Sequence, residues 1–259
     1  MNEELFWAYC DQFYGYGNWK ARFWFVGIEE NGASDINQAH SRINHWDVSG
    51  RGHLKDLPSY CRALAAGGEG RTTSKWFEQF RAQLQKTWKQ LIRIRLAASG
   101  QLSASENANE RIMRDYQVMH YGRAEGETAD LSLLPLPCRR PKMWGNIYQQ
   151  HVPNNFPHDR AGYEDRFLPQ RVNFLRAKAN DFQPAIVVIY SIDFARRFMD
   201  NPVVQHHNEW PDVIRGTWGG TPVLGIYHPT WPGWHGRGQQ SADGYYARVG
   251  GLIREMEQH

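Results

Sequence analysis

A chain of 259 residues with 41% hydrophobic, 14% aromatic and 22% charged residues has the composition of a folded globular protein, which excludes a disordered or fibrous chain. Its formal net charge of +3 allows a polyanionic partner without requiring one. Three widely spaced cysteines, Cys10, Cys61 and Cys138, form no C-x-x-C pair, so they support neither a zinc knuckle nor an iron–sulfur site and fit a reducing compartment.

The start, Met1-Asn2-Glu3-Glu4, has neither the basic residues nor the apolar run of a signal peptide, and no stretch reaches the length of a membrane span. A cytoplasmic protein with a single domain over residues 1–259 is expected. Residues 1–20 predict a short helix and loop, and Arg22 to Gly27 reads as a buried strand. Residues 28–73 read as a long irregular stretch punctuated by Gly50-Arg51-Gly52 and Gly67-Gly68-Glu69-Gly70. From Ser74 to Ala98, Trp76, Phe77, Phe80, Leu84, Trp88, Leu91 and Ile92 recur at helical spacing. A second helix is predicted over Glu106–Tyr121, then a short apolar run over Leu131–Leu136 closed by Pro137-Cys138-Arg139-Arg140-Pro141. Tyr163 to Asn180 has a helical pattern, and Ala185 to Tyr190 is the clearest strand, followed by a helix over Ile192–Met199. A last strand over Val223–Tyr227 and a closing helix over Tyr245–Glu257 complete the chain. This order predicts an α/β fold: a three-layer α/β/α sandwich around a short, mostly parallel central sheet.

Two strand ends carry the candidate chemistry. Phe23-Trp24-Phe25-Val26-Gly27 runs into Ile28-Glu29-Glu30-Asn31-Gly32, and Val223-Leu224-Gly225-Ile226-Tyr227 runs into His228-Pro229-Thr230-Trp231-Pro232-Gly233. In open α/β sheets, ligands bind at the carboxyl ends of strands. One end thus offers carboxylates and the other a histidine followed by a stiff loop. His40, His45 and His53 have no recognisable metal-site spacing. No G-x-S-x-G, P-loop or G-x-G-x-x-G context points to another α/β enzyme class.

These two motifs, with Pro184-Ala185-Ile186-Val187-Val188-Ile189-Tyr190 between them, resemble the uracil-DNA glycosylase superfamily. The order of elements runs over nearly the whole chain, but residue-level similarity is confined to these patches. The resemblance implies a monofunctional DNA N-glycosylase that needs no cofactor or metal, acting as a monomer on single-stranded or duplex DNA. It places Glu29 as the group that activates water or stabilises charge, and His228 as the support of the departing base. Gly27, Ile28, Glu30 and Asn31, with Trp46 and Leu136, are the expected base pocket. Thr230 stands where relatives have Ser, Trp231 lies near the tip of the wedging loop, and Arg237 falls where relatives hold phosphate. Glu30 replaces a frequent Pro. The run Leu131-Ser132-Leu133-Leu134-Pro135-Leu136-Pro137-Cys138 lacks the Asn with which uracil readers bind their base. Relatives include bacterial anti-phage enzymes that excise glucosylated hydroxymethylcytosine, and such a base is one expected substrate. Uracil or hypoxanthine is the conservative alternative, and a non-catalytic DNA-binding protein of the same fold is another.

The chemistry fits these residue types. Breaking an N-glycosidic bond builds positive charge on the sugar and negative charge on the base, which calls for an anion beneath C1′ and a donor at the base carbonyl. A buried nucleotide has to be flipped out to react. For the DNA itself, Arg139, Arg140 and Lys142 and the basic residues Lys75, Arg81, Lys86, Lys89, Arg93 and Arg95 could follow a phosphate track. Trp46, Trp144, Trp218 and Trp234 stand in Gly-, Pro- or polar-rich segments where rings stack on bases or sugars.

Overall fold

The computed structural model describes residues 2–30, 32–67, 75–78, 82–207, 210–234 and 239–258. Eight strands form one sheet: β1 (Gly15–Tyr16), β2 (Phe23–Gly27), β3 (Leu54–Lys55), β4 (Thr128–Ser132), β5 (Ile186–Ile189), β6 (Asp200–Gln205), β7 (Val213–Trp218) and β8 (Thr221–Gly225). Their spatial order is β3-β1-β4-β2-β5-β8-β7-β6. The centre, β4-β2-β5-β8, is parallel throughout, with Phe25 opposite both Asp130 and Val188, and Leu224 opposite Val188. Antiparallel pairings join β8 to β7, β7 to β6 and β1 to β4. The sheet is therefore larger and more mixed than the short, mostly parallel one expected from the sequence. The difference arises where strands are amphipathic or only two residues long, and so lack a continuous apolar run.

The central strands were legible because a strand flanked on both sides and covered on both faces has no polar face. Every residue of β2 and β5 is buried. Nine α-helices surround the sheet among the described residues: α1 (Glu3–Gln12), α2 (Ile36–Val48), α3 (Leu57–Ala66), α4 (Lys86–Ala98), α5 (Glu106–Met119), α6 (Trp144–Tyr148), α7 (Arg160–Phe182), α8 (Ile192–Phe198) and α9 (Gln239–Glu257). Side chains at their starts accept backbone N–H groups that would otherwise lack partners: Asp35 caps α2, Asp56 caps α3, Ser105 caps α5 and Asp159 caps α7. The stretch over residues 28–73, expected to be irregular, thus contains two capped helices and β3 within its described part. The helix predicted from Ser74 begins only at Lys86 among the described residues.

Two contacts fix the frame around the site. Helices α4 and α9 meet at Gly250, where a Cβ would lie 2.4 Å from both the Ile94 carbonyl and the Ala97 side chain, so only glycine permits this approach. Arg171, on α7, is fully buried and ties α1 to the end of β4. Its guanidinium donates to the carbonyls of Cys10 (2.9 Å), Phe13 (2.8 Å), Ser132 (2.9 Å) and Leu133 (2.9 Å). It also lies 3.9 Å from the centre of the Tyr14 ring. No described helix is long and apolar enough to cross a membrane.

Candidate active site

Because β2, β4, β5 and β8 are parallel, their carboxyl ends open on one side of the sheet. There a cavity of about 80 Å³ is lined by residues from all four strands or the segments that follow them, among them Glu29, Glu30, Asp130, Tyr190 and His228. The two motifs, about two hundred residues apart in sequence, meet in this cavity.

Glu29 follows the turn after β2 and its side chain is 6% exposed. Arg160, at the start of α7, donates to its Oε2 at 2.5 Å and also holds Glu164. Burial nonetheless outweighs the attraction to Arg160 and pushes the Glu29 carboxyl up to about 7. Glu30 turns to a different set of partners. Its Oε1 accepts the Tyr16 hydroxyl at 2.7 Å and a short hydrogen bond from Arg42, whereas its Oε2 is buried without a partner among the described residues.

Asp130, on β4, is the unforeseen member of the site. It accepts from the Trp88 indole at 3.0 Å and from the Tyr190 hydroxyl at 3.1 Å. Burial pushes its carboxyl up to about 7 against those donors. Tyr190, just beyond β5, brings the hydroxyl end of its ring against the end of β2: a Cβ on Gly27 would stand 2.2 Å from its hydroxyl oxygen. Gly27 is thus a close-approach glycine beneath the cavity. The His228 ring lies 5.6 Å from that of Tyr190. Burial lowers its pKa to about 4, so the imidazole is neutral near pH 7. The Thr230 backbone N–H donates to His228 Nδ1 at 3.1 Å. Nδ1 must therefore carry the lone pair, and the proton sits on Nε2. The loop that follows β8 thus sets the tautomer that leaves a donor available.

The remaining expected residues fall in two groups. Thr230, Arg139 and Arg140 are exposed. Ile28 is half-buried against the core and does not line the cavity. Trp46 is not a pocket residue: it is fully buried on α2, with its indole donating to the Gly52 carbonyl at 2.8 Å and its ring edge-on to Tyr9. Leu136 is likewise fully buried, its N–H held by the Tyr163 hydroxyl, and it does not line the cavity. Trp144 and Trp218 are core residues too, and Trp234 is buried against Tyr245 and Tyr246. Trp231 is folded back on Tyr227, with ring centres 4.5 Å apart, rather than projecting as a wedge. In each case a large ring gains more from burial than from display. Asn31 and Arg237 lie outside the described residues.

The expected phosphate track also changes. Lys89 pairs with Glu110 at 2.7 Å, Arg93 with Glu106 and Asp243, and Arg95 with Glu127. Most of the basic charge on α4 is thereby neutralised within the protein. What remains is a groove of about 600 Å³ beside the histidine loop, lined by Lys86, Arg114 and the Lys89–Glu110 pair together with Thr230, Trp231 and Trp234.

Sequence reasoning missed Asp130, Tyr190, Arg42 and Arg160. An acid within the apolar strand Thr128-Ala129-Asp130-Leu131 was the available signal for the first; nothing local marks Arg160 as the partner of Glu29, 131 residues away. Comparison of the chain with protein-family models, curated proteins and solved structures gives no match.

Proposed function

We propose that this protein is a monofunctional DNA N-glycosylase with a uracil-DNA glycosylase-like, three-layer α/β/α fold. It hydrolyses the N-glycosidic bond of a flipped, modified or damaged base. The observation that carries this reading is the meeting of Glu29 and His228 in one cavity at the carboxyl ends of the parallel strands. The parallel centre supports it as well, since parallel neighbours need crossover connections such as the helices found here.

Glu29, when ionised, accepts a proton from water whose oxygen bonds to C1′ as the C1′–N bond breaks; the bonding pair leaves with the base. A carboxylate titrating at about 7 is well matched to that task at neutral pH. His228 donates a hydrogen bond from Nε2 to the base carbonyl, where negative charge collects. The products are a free base and an abasic site. Thr230, Trp231, Arg139 and Arg140, together with Lys86 and Arg114 in the groove, contact the strand. The protein acts in the cytoplasm as a monomer, without a cofactor. Base in phage DNA carrying glucosylated hydroxymethylcytosine is one candidate substrate, and uracil or hypoxanthine another.

The test is a panel of DNAs containing uracil, hypoxanthine, hydroxymethylcytosine or glucosylated cytosines, treated with the protein and then with alkali. Strand breaks in one substrate that disappear with Glu29→Gln are expected. DNA binding with no breaks in any substrate would replace the enzyme by a binding protein of the same fold.

A further inference from the structure

We propose that Glu30 reads the flipped base, and that it selects a pyrimidine with an exocyclic amino group over its keto counterpart. This rests on the glycosylase reading of the same cavity. The starting point is an imbalance in hydrogen bonding. Oε1 of Glu30 is committed to Tyr16 and Arg42, whereas Oε2 is buried in the cavity wall with no donor among the described residues. A buried carboxylate oxygen without a partner is costly, and a ligand that supplies an N–H removes the cost.

The other polar groups define what else the ligand must carry. Asp130 already receives donors on both oxygens, from Trp88 on Oδ2 and Tyr190 on Oδ1. His228 offers a donor from Nε2, because Thr230 occupies Nδ1. Glu30 thus offers the ligand an unpartnered acceptor and His228 a donor, in a cavity whose lining also includes Gln85, Thr87 and Ser132. Cytosine-type bases match both, with an amino group at C4 and a carbonyl at C2. Uracil-type bases set a carbonyl oxygen where the amino group would be, so that two acceptors face each other. Adenine carries the amino group but no carbonyl for His228. The absence of the uracil-reading Asn after the second strand agrees with this division, since an amide can serve both the keto oxygen and the N3–H of uracil, whereas a carboxylate can accept only the N3–H.

The direct test uses oligonucleotides that differ at one exocyclic position, 5-hydroxymethylcytosine against 5-hydroxymethyluracil. The pair is run twice, without and with glucose on the hydroxymethyl oxygen. Release of the amino base at least about tenfold faster is expected, because a site that binds a polar group rejects the analogue that leaves it unpaired. Equal or faster release of the keto base would overturn the assignment while leaving the glycosylase reading intact. Glu30→Gln, whose amide offers either a donor or an acceptor, is expected to bring the ratio close to one; an unchanged ratio in a folded variant would also overturn it. If no base is released at all, the glycosylase reading fails, and fluorescence anisotropy with the same oligonucleotides decides the remainder. About tenfold tighter binding of the amino form supports Glu30 as the reader, whereas equal, reversed or absent binding removes it.

Discussion

Arg171 and Glu29 are both charged side chains drawn out of water, and the fold treats them in opposite ways. Arg171 is surrounded by four carbonyl acceptors and the face of Tyr14, which stand in for water around its charge, although burial still lowers its pKa from the ordinary arginine value. Glu29 has one cation beside it, shared with Glu164, and burial still pushes its carboxyl up to about 7. A buried guanidinium held by several acceptors ties elements together and stays charged, because its ordinary pKa lies so far above neutrality. An under-compensated buried carboxylate keeps a proton equilibrium near neutrality, which is what acid–base chemistry uses. Asp130 belongs with Glu29 in this respect.

The contrast breaks first, if it breaks, on activity. Glu29→Gln and His228→Ala are each expected to lower base release by on the order of 10²–10⁴-fold, read as alkali-labile sites per unit time, without lowering thermal stability. Arg171→Met should do the reverse. Leaving four buried carbonyls without their donor is expected to cost about 3–5 kcal/mol. That corresponds to a fall in Tm of roughly 10 °C, while the base-release rate per folded molecule is retained. An Arg171 variant that melted normally would end its role as the tie between α1 and the end of β4.

The pH dependence sharpens the same comparison. Glu29 releases its proton at about 7 in the folded protein and near 4.5 when unfolded, so between those values the folded state holds more protons and stability falls as pH rises. Glu29→Gln should therefore gain stability relative to the parent as pH is raised from about 5 to 8, by at most about 3 kcal/mol. His228 works in the opposite direction: its pKa drops from 6.5 unfolded to about 4 folded, so its contribution is lost as pH falls through that window. The rate of base release should rise about tenfold per pH unit below about 7 and then level off, following the ionisation of Glu29. Arg160→Gln, which removes the compensating cation, should move this limb to higher pH. The smallest effect is expected from Gly27→Ala. A Cβ 2.2 Å from the Tyr190 hydroxyl must displace that ring, at about 1–3 kcal/mol, and weaken its hold on Asp130.

The parts of this molecule visible in the sequence are those where a single physical demand dominates. Strands β2, β5 and β8 are buried by neighbours on both sides, so apolar runs mark them, and the turns that follow place Glu29 and His228 in the cavity. Strands β6 and β7 were missed because Asp200–Gln205 is half-exposed and mixes polar with β-branched residues. Trp46 was misplaced because polar neighbours on a helix, Asn44, His45 and Asp47, resemble a loop when its buried stripe is unseen. Asp130 escaped because its role depends on Trp88 and Tyr190, which reach it from distant segments. A site made by long-range partners is legible only in pieces.

The order of the strands along the chain also fixes when the cavity comes into being. Its walls draw on Tyr16, Glu30, Asp130, Tyr190 and His228, and the last of these follows β8, the last strand of the sheet in chain order. As the ribosome extends the chain from the amino terminus, at roughly 5–20 residues per second, β2, β4 and β5 emerge well before β8. A nascent chain that ends before β8 presents β5 as an open edge and carries no histidine loop. A chain that stops before His228 therefore lacks one wall of this cavity.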